Sequence, residues 1–158
     1  MYLNSDLKFP NISIHLSSKY NRRKIDIAAF QYRNNGEKYV TFIKSQLLLN
    51  PFIRPLFFVF RKILKNFKLS NPTKGGIKTY ALFLMLWIAI SYFPANSVGQ
   101  AFINVILYFN YNFQYEEGKD EKGEYVCKLN IIDPINQTNN VGGRYTETEK
   151  LQSMFKTL

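Results

Sequence analysis

Cysteine and histidine are almost missing from this chain, with Cys127 and His15 the single examples of each. That excludes an internal disulfide framework and every zinc site built mainly from Cys and His, whose shells need several such side chains. The chain reads as intracellular. No unbroken apolar run reaches the roughly 20 residues needed to span hydrocarbon. The most apolar stretch, Tyr80 to Phe93, is shorter and reads as the buried central helix of a helical domain, because a helix that is hydrophobic all round belongs in a core. No secretory signal opens the sequence, since Asp6 and Lys8 interrupt what would be its apolar region. Acidic residues are scarce as well, 11 against 21 Lys and Arg, and the net charge of +10 favours an anionic partner: nucleic acid, nucleotide or an acidic membrane surface.

What is present suits one good core rather than two large domains, at 158 residues with 14 Phe and 11 Tyr. An AT-rich genome's codon bias accounts for that aromatic content as well as any chemistry does. Ile12, Ile14 and Leu16 alternate with Ser13 and His15, the period of a strand, and Lys24-Ile25-Asp26-Ile27-Ala28 forms a second strand, paired with the first as a hairpin. From Asn34-Asn35-Gly36 the pattern turns helical, with Glu37 in the first turn and Pro51 closing the helix. Pro55 opens the next helix, with Phe60, Ile63, Leu64 and Phe67 as its buried stripe and Arg61, Lys65 and Lys68 on another face; Asn71-Pro72 breaks it. Gly75-Gly76 leads into the apolar helix, which ends before Pro94, and Val98 to Phe109 gives one more amphipathic helix. Glu116 to Gly123 reads as a charged hairpin tip, Tyr125 to Ile132 as a strand, Asp133 to Gly143 as a loop, and Thr148 to Leu158 as a last helix.

Three features carry possible chemistry. Asp26 on a rigid strand can offer Mg²⁺ a hard oxygen ligand, although one carboxylate does not hold the ion alone and a strand aspartate is commonly a plain polar position. Arg61 and Lys65 lie four apart on a helix, so both project to one side and can grip successive phosphates, or simply form a solvated face. Thr79 and Tyr80 place a hydroxyl and an aromatic plate at a helix start, or belong to an ordinary loop and core tyrosine.

In order, the chain shows Phe9-Pro10, Lys24-Ile25-Asp26-Ile27, Arg54-Pro55-Leu56, Gly75-Gly76-(x)2-Thr79-Tyr80 and Ile132-Asp133-Pro134-(x)4-Asn139-Asn140-Val141-Gly142. This series resembles the terminal nucleotidyltransferases of the DNA polymerase beta superfamily, most nearly the nuclear poly(A) polymerases that assist the exosome and the related terminal uridylyltransferases. The resemblance runs from about Phe9 to Gly142.

It implies an α+β fold: the last strands of a nucleotidyltransferase palm sheet in residues 1–34, joined to a mostly helical, poly(A)-polymerase-associated central domain in residues 35–158. The implied activity is template-independent addition of AMP from ATP to an RNA 3′ end. Asp26 becomes a metal-binding carboxylate, Arg61 and Lys65 contact the triphosphate, Thr79 meets phosphate or ribose, Tyr80 stacks on the base, and Asn139 reads its edge. Uridine-adding relatives often carry histidine where Asn139 stands. The implied cofactor is Mg²⁺ or Mn²⁺, in a two-metal site completed by residues outside this sequence. The implied partners are ATP, an RNA 3′ end and RNA-surveillance subunits, with a nuclear or alternatively cytoplasmic location and no membrane. The family's Gly-Ser and Asp-x-Asp motifs, expected upstream of Phe9, have no counterpart in this sequence, so the isolated chain is expected to be inactive. Ile132 also replaces a common glutamate, and Gly143 stands where arginine usually follows Val-Gly. A uridylyltransferase, or a non-catalytic RNA- or partner-binding scaffold from the same family, is the alternative.

Overall fold

The computed structural model describes residues 2–4, 11–17, 22–28, 36–119, 125–143 and 147–158. Phe9 and Pro10 lie outside them. The chain divides into two compact units, Met1–Glu37 and Lys38–Leu158.

In the first unit, β1 (Tyr2–Asn4), β2 (Asn11–Ser17) and β3 (Arg22–Ala28) form an antiparallel sheet in the order β1-β2-β3. β2 and β3 pair as their alternation predicts, with Ile12 opposite Ile27, Ile14 opposite Ile25 and Ser13 opposite Asp26. β1 is an addition: three residues are too few to show a period of two.

The second unit is helical. It contains α1 (Gly36–Leu49, which begins just before the boundary), α2 (Ile53–Asn66), α3 (Thr79–Tyr92), α4 (Val98–Leu107) and α5 (Thr148–Thr157), with the hairpin β4 (Glu116–Lys119) and β5 (Tyr125–Lys128) between the last two helices. α3 is the axis. Eight of its residues are buried, among them Leu84 and Ala89, each fully so. A helix with no polar face has no side to turn to water, and burial of each Leu, Ile or Phe contributes about 1.5–3 kcal/mol.

α2 lays Ile53, Leu56, Phe60 and Leu64 against that core, a spacing that keeps them on one stripe. Phe67 does not complete the stripe. The helix ends at Asn66 and Lys68 adopts φ 61°, which turns the chain so that Leu69 is buried while Phe67 stays 39% exposed. α1 is tied to α3 by the Trp87 indole N–H, which donates to Oε1 of Gln46 at 2.8 Å, and by edge-on packing of Phe42 against Trp87.

The amphipathic segment expected to run from Val98 to Phe109 stops being α-helical at Leu107 and continues as a wider π turn, Tyr108–Asn112. That turn places Phe109 in a stack on Phe155 of α5, ring centroids 4.8 Å apart, and lets the Asn110 amide donate to the Phe155 carbonyl. Of the expected charged hairpin tip, Glu116–Lys119 pairs as β4 with β5, and residues 120–123 lie outside the described ones. β5 ends at Lys128 rather than Ile132. Beyond it Ile132 makes a single bridge to Asn140. Among the described residues, no helix is long and apolar enough to cross a membrane.

Candidate functional site

The loop after β5 is held in shape by its own side chains. Asn140 accepts from the backbone N–H groups of Ile131 (3.0 Å) and Gly142 (2.9 Å) through Oδ1, and Asn136 accepts the Thr138 hydroxyl at 2.8 Å. Backbone bonds from Val141 to the Ile131 carbonyl and from Asp133 to the Asn139 carbonyl close the loop on itself. Gly142 is needed there: a Cβ at this position would lie 2.2 Å from the Leu129 carbonyl oxygen, closer than any side chain tolerates. This is the physical reason for glycine after Val141.

Asp133 is the centre of the site. Its relative exposure is 0%, and its two oxygens are shared among four donors from three parts of the chain. The Tyr39 hydroxyl on α1 donates to Oδ2 at 2.7 Å, and the Asn139 amide donates to the same oxygen at 3.1 Å. The Tyr80 hydroxyl on α3 and the Ile135 backbone N–H donate to Oδ1 at 3.1 Å and 3.0 Å. Burial alone pushes the Asp133 carboxyl up, but the hydrogen bonds from Tyr39, Ile135, Asn139 and Tyr80 outweigh it, so the group sits below the ordinary carboxylate range. The phenols respond in the opposite direction. Burial, with the hydrogen bond to Asp133 and its negative charge, pushes Tyr39 up to about 12 and Tyr80 higher still.

The carboxylate thereby fixes two groups that could meet a ligand. Asn139 gives an amide hydrogen to Asp133, which settles the otherwise ambiguous orientation of the amide: turning it round would set Oδ1 against a carboxylate oxygen. Tyr80 is held at its hydroxyl end, with Tyr39 edge-on to its ring at a centroid distance of 5.2 Å. Both Tyr80 and Asn139 line one cavity of about 350 Å³, together with Lys78, Ala81, Asn140 and Val141. An aromatic plate, an amide and a cation around one space are the elements that hold a nucleobase near an anionic tail.

The sequence-derived candidates are placed as follows. Tyr80 and Asn139 come together through Asp133 and in the shared cavity. Thr79 is the first residue of α3 and lines a different, apolar groove of about 400 Å³, for which Tyr80 also supplies a wall. Arg61 and Lys65 are exposed on α2, one turn apart, and line neither space. Asp26 lies in β3 of the first unit.

Tyr39 and Asp133 are the site residues that the sequence pattern did not single out. Asp133 stood in the quoted motif without a role; the available signal was an aspartate followed by proline in a loop that leads back to the helical core, six residues before Asn139. For Tyr39 there was none beyond its place on the helix face three residues before Phe42.

A divalent metal needs several oxygen ligands. Among the described residues no three of His, Cys, Asp and Glu come together.

No family model and no curated protein sequence matches the chain. Solved structures do. A Cid1 poly(U) polymerase, as a His-to-Asn mutant bound to MgATP, superimposes with a TM-score of 0.76 at 16% identity, over 99% of this chain and 65% of that one. The polymerase core of TRAMP, an RNA surveillance complex, gives 0.70 at 15% identity, over 99% and 55%. A cytoplasmic RNA terminal U-transferase gives 0.65 at 14% identity, over 99% and 66%. This sequence therefore spans between 55% and 66% of the length of these three structures. The chain shares its fold with these three structures, those of a poly(U) polymerase, the TRAMP polymerase core and an RNA terminal U-transferase.

Proposed function

We propose that this chain forms the nucleotide-gripping part of an RNA 3′-end nucleotidyltransferase, with the base held between Tyr80 and Asn139. The observation that carries this reading is Asp133, which gathers Tyr39, Tyr80 and Asn139 beside a cavity of about 350 Å³. Tyr80 supplies the stacking plate, and such stacking is worth about 1–3 kcal/mol per base. Asn139, its orientation fixed, presents an acceptor and its remaining amide hydrogen to a base edge. Arg61 and Lys65 hold the triphosphate, and Thr79 meets phosphate or ribose. The strands of the first unit are the last part of a palm sheet, and Asp26 is its contribution to a Mg²⁺ or Mn²⁺ site completed by carboxylates outside this sequence. That metal, when bound, polarises the reacting phosphate.

ATP is the proposed nucleotide. Asparagine at the base-edge position is the adenylating pattern that the family resemblance implies, and the MgATP-bound neighbour is a poly(U) polymerase in which a histidine has been replaced by asparagine. UTP is the competing reading, favoured by the poly(U) polymerase and the U-transferase among the neighbours. The RNA 3′ end is the acceptor in both, and RNA-surveillance subunits are the proposed company, since TRAMP is an RNA surveillance complex; the proposed nuclear location rests on the family resemblance alone.

The test is a titration of the full chain with ATP and UTP analogues, followed by tailing of an RNA oligonucleotide after a palm half is supplied in trans. Tighter ATP binding that is lost in Tyr80→Ala, with metal-dependent AMP addition abolished by Asp26→Ala, is the expected result. Tighter UTP binding overturns the adenylyl assignment. Absence of binding to any nucleotide, in a folded chain, overturns the reading as a whole.

A further inference from the structure

The apolar groove is a second site, and its surroundings are unusual in charge. Ile43 and Leu47 of α1 form one wall; Ile53, Phe57 and Phe58 of α2 form another, and Phe83 of α3 lies in the lining with Tyr80. Phe58 is 61% exposed although it lines this groove. Arg54 lines the groove itself, and Lys44, outside the lining, is exposed one position after Ile43. From Lys38 to Tyr115 the sequence holds nine Lys and Arg and no Asp or Glu. Among the described residues, no carboxylate pairs with Lys44 or Arg54.

We propose that this groove docks an acidic amphipathic segment of a partner polypeptide, its Leu or Phe side chains entering the groove and its carboxylates meeting Lys44 and Arg54. Charge selects the partner. The same face of a second copy would bring like charge against it, whereas an acidic helix is attracted from a distance and sheds apolar surface on arrival. RNA would satisfy the cations but not the groove. Its walls are hydrocarbon apart from Thr79 and Arg54, so a base inserted there leaves most of its edge donors and acceptors unpaired, at about 1–3 kcal/mol each.

Tyr80 gives the inference its functional edge, because it lines both the groove and the cavity that Asn139 also lines. A side chain packed on the groove side of that ring steadies the plate that the proposed function needs. Docking and nucleotide binding are then coupled, and each strengthens the other by the same factor. The coupling rests on the proposed nucleotide site; the docking does not.

The experiment uses fluorescence anisotropy with the full chain and a labelled 15-residue helical peptide carrying Leu at i, i+4, i+7 and i+11 and Glu elsewhere on its surface. Comparison probes are the same peptide with Leu replaced by Ala, the same peptide with Glu replaced by Lys, and a labelled 15-nucleotide oligoadenylate. Expected is binding of the Leu/Glu peptide alone among the peptides, weakened about tenfold by Phe58→Ala and by Arg54→Glu. Both positions are solvent-facing, so neither change threatens the fold, and Lys156→Glu on α5 controls for net charge. Three results overturn the docking site: no binding, equal loss in Lys156→Glu, or preferential binding of the oligoadenylate that Phe58→Ala removes. Peptide binding without any change in ATP affinity overturns only the coupling.

Discussion

Replacing Asp133 by asparagine tests the site at its centre. The side chain keeps its shape but loses its charge and one of its two acceptor oxygens, while four donors still point at it from Tyr39, Tyr80, Asn139 and Ile135. A hydrogen bond to a charged group contributes about 1.5–3 kcal/mol and a neutral one about 1 kcal/mol, and the four are not additive, so a net loss of about 3 kcal/mol is expected. For a chain of this size that is a fall in Tm of about 6–12 °C, read by near-ultraviolet circular dichroism at pH 7. The pH dependence gives a second readout. Because the folded carboxyl lies below its unfolded value of about 3.9, its contribution is fully present above that value and is lost as pH falls through the lower folded value. Asp133→Asn should lack this acid limb, so the two proteins converge in stability below pH 4. A variant within about 1 °C of wild type at pH 7 would refute the account of Asp133 as the organising group.

Other consequences follow from the same geometry. Tyr39, whose phenol is pushed up to about 12, stabilises the fold fully below its unfolded value near 10, and that contribution is lost as pH rises through 12; absorbance at 295 nm should show a phenol ionising late, and in Asp133→Asn it should ionise earlier than in wild type but still above its ordinary value, because burial, the largest cause, remains. Gly142→Ala places a methyl group 2.2 Å from the Leu129 carbonyl oxygen, so chemical denaturation should show a loss of about 1–3 kcal/mol. Arg61→Ala and Lys65→Ala, both on an exposed face, should leave Tm unchanged within about 2 °C and weaken ATP binding several-fold while leaving adenosine binding alone; equal loss for both ligands would remove these residues from triphosphate contact.

How much of this was legible in the sequence depended on the range over which each interaction acts. The paired strands, the amphipathic α2 and the wholly apolar α3 follow from periodicity, because each is a pattern of neighbours along the chain. The end of α2 did not follow: Phe67 continues the apolar spacing, and only the positive φ at Lys68 removes it from the core. The π turn at Tyr108 is likewise set from a distance, by the stacking of Phe109 on Phe155 and the bond from Asn110 to the Phe155 carbonyl. The site divides the same way. Tyr80 and Asn139 were picked out on local motifs, whereas the bond from Tyr39 to Asp133 joins residues 94 positions apart and leaves no local trace.

The contrast between Asn139 and Asn140 shows what the local reading needed. Two identical adjacent side chains differ in what they face. Asn140 turns its carbonyl inward to two backbone N–H groups, so its capacity to accept is spent on the loop. Asn139 gives a hydrogen to Asp133 and, although its amide is fixed, stays exposed at the cavity with Tyr80. The first asparagine is thus available to a ligand because the second shapes the loop and the aspartate restrains the amide. Selectivity at such a position does not belong to Asn139 alone. In the proposed site, exchanging it for another residue would alter the base edge that can be read, but exchanging Asp133 would alter whether any edge is read in a fixed orientation, since Asp133 also accepts the hydroxyl of Tyr80.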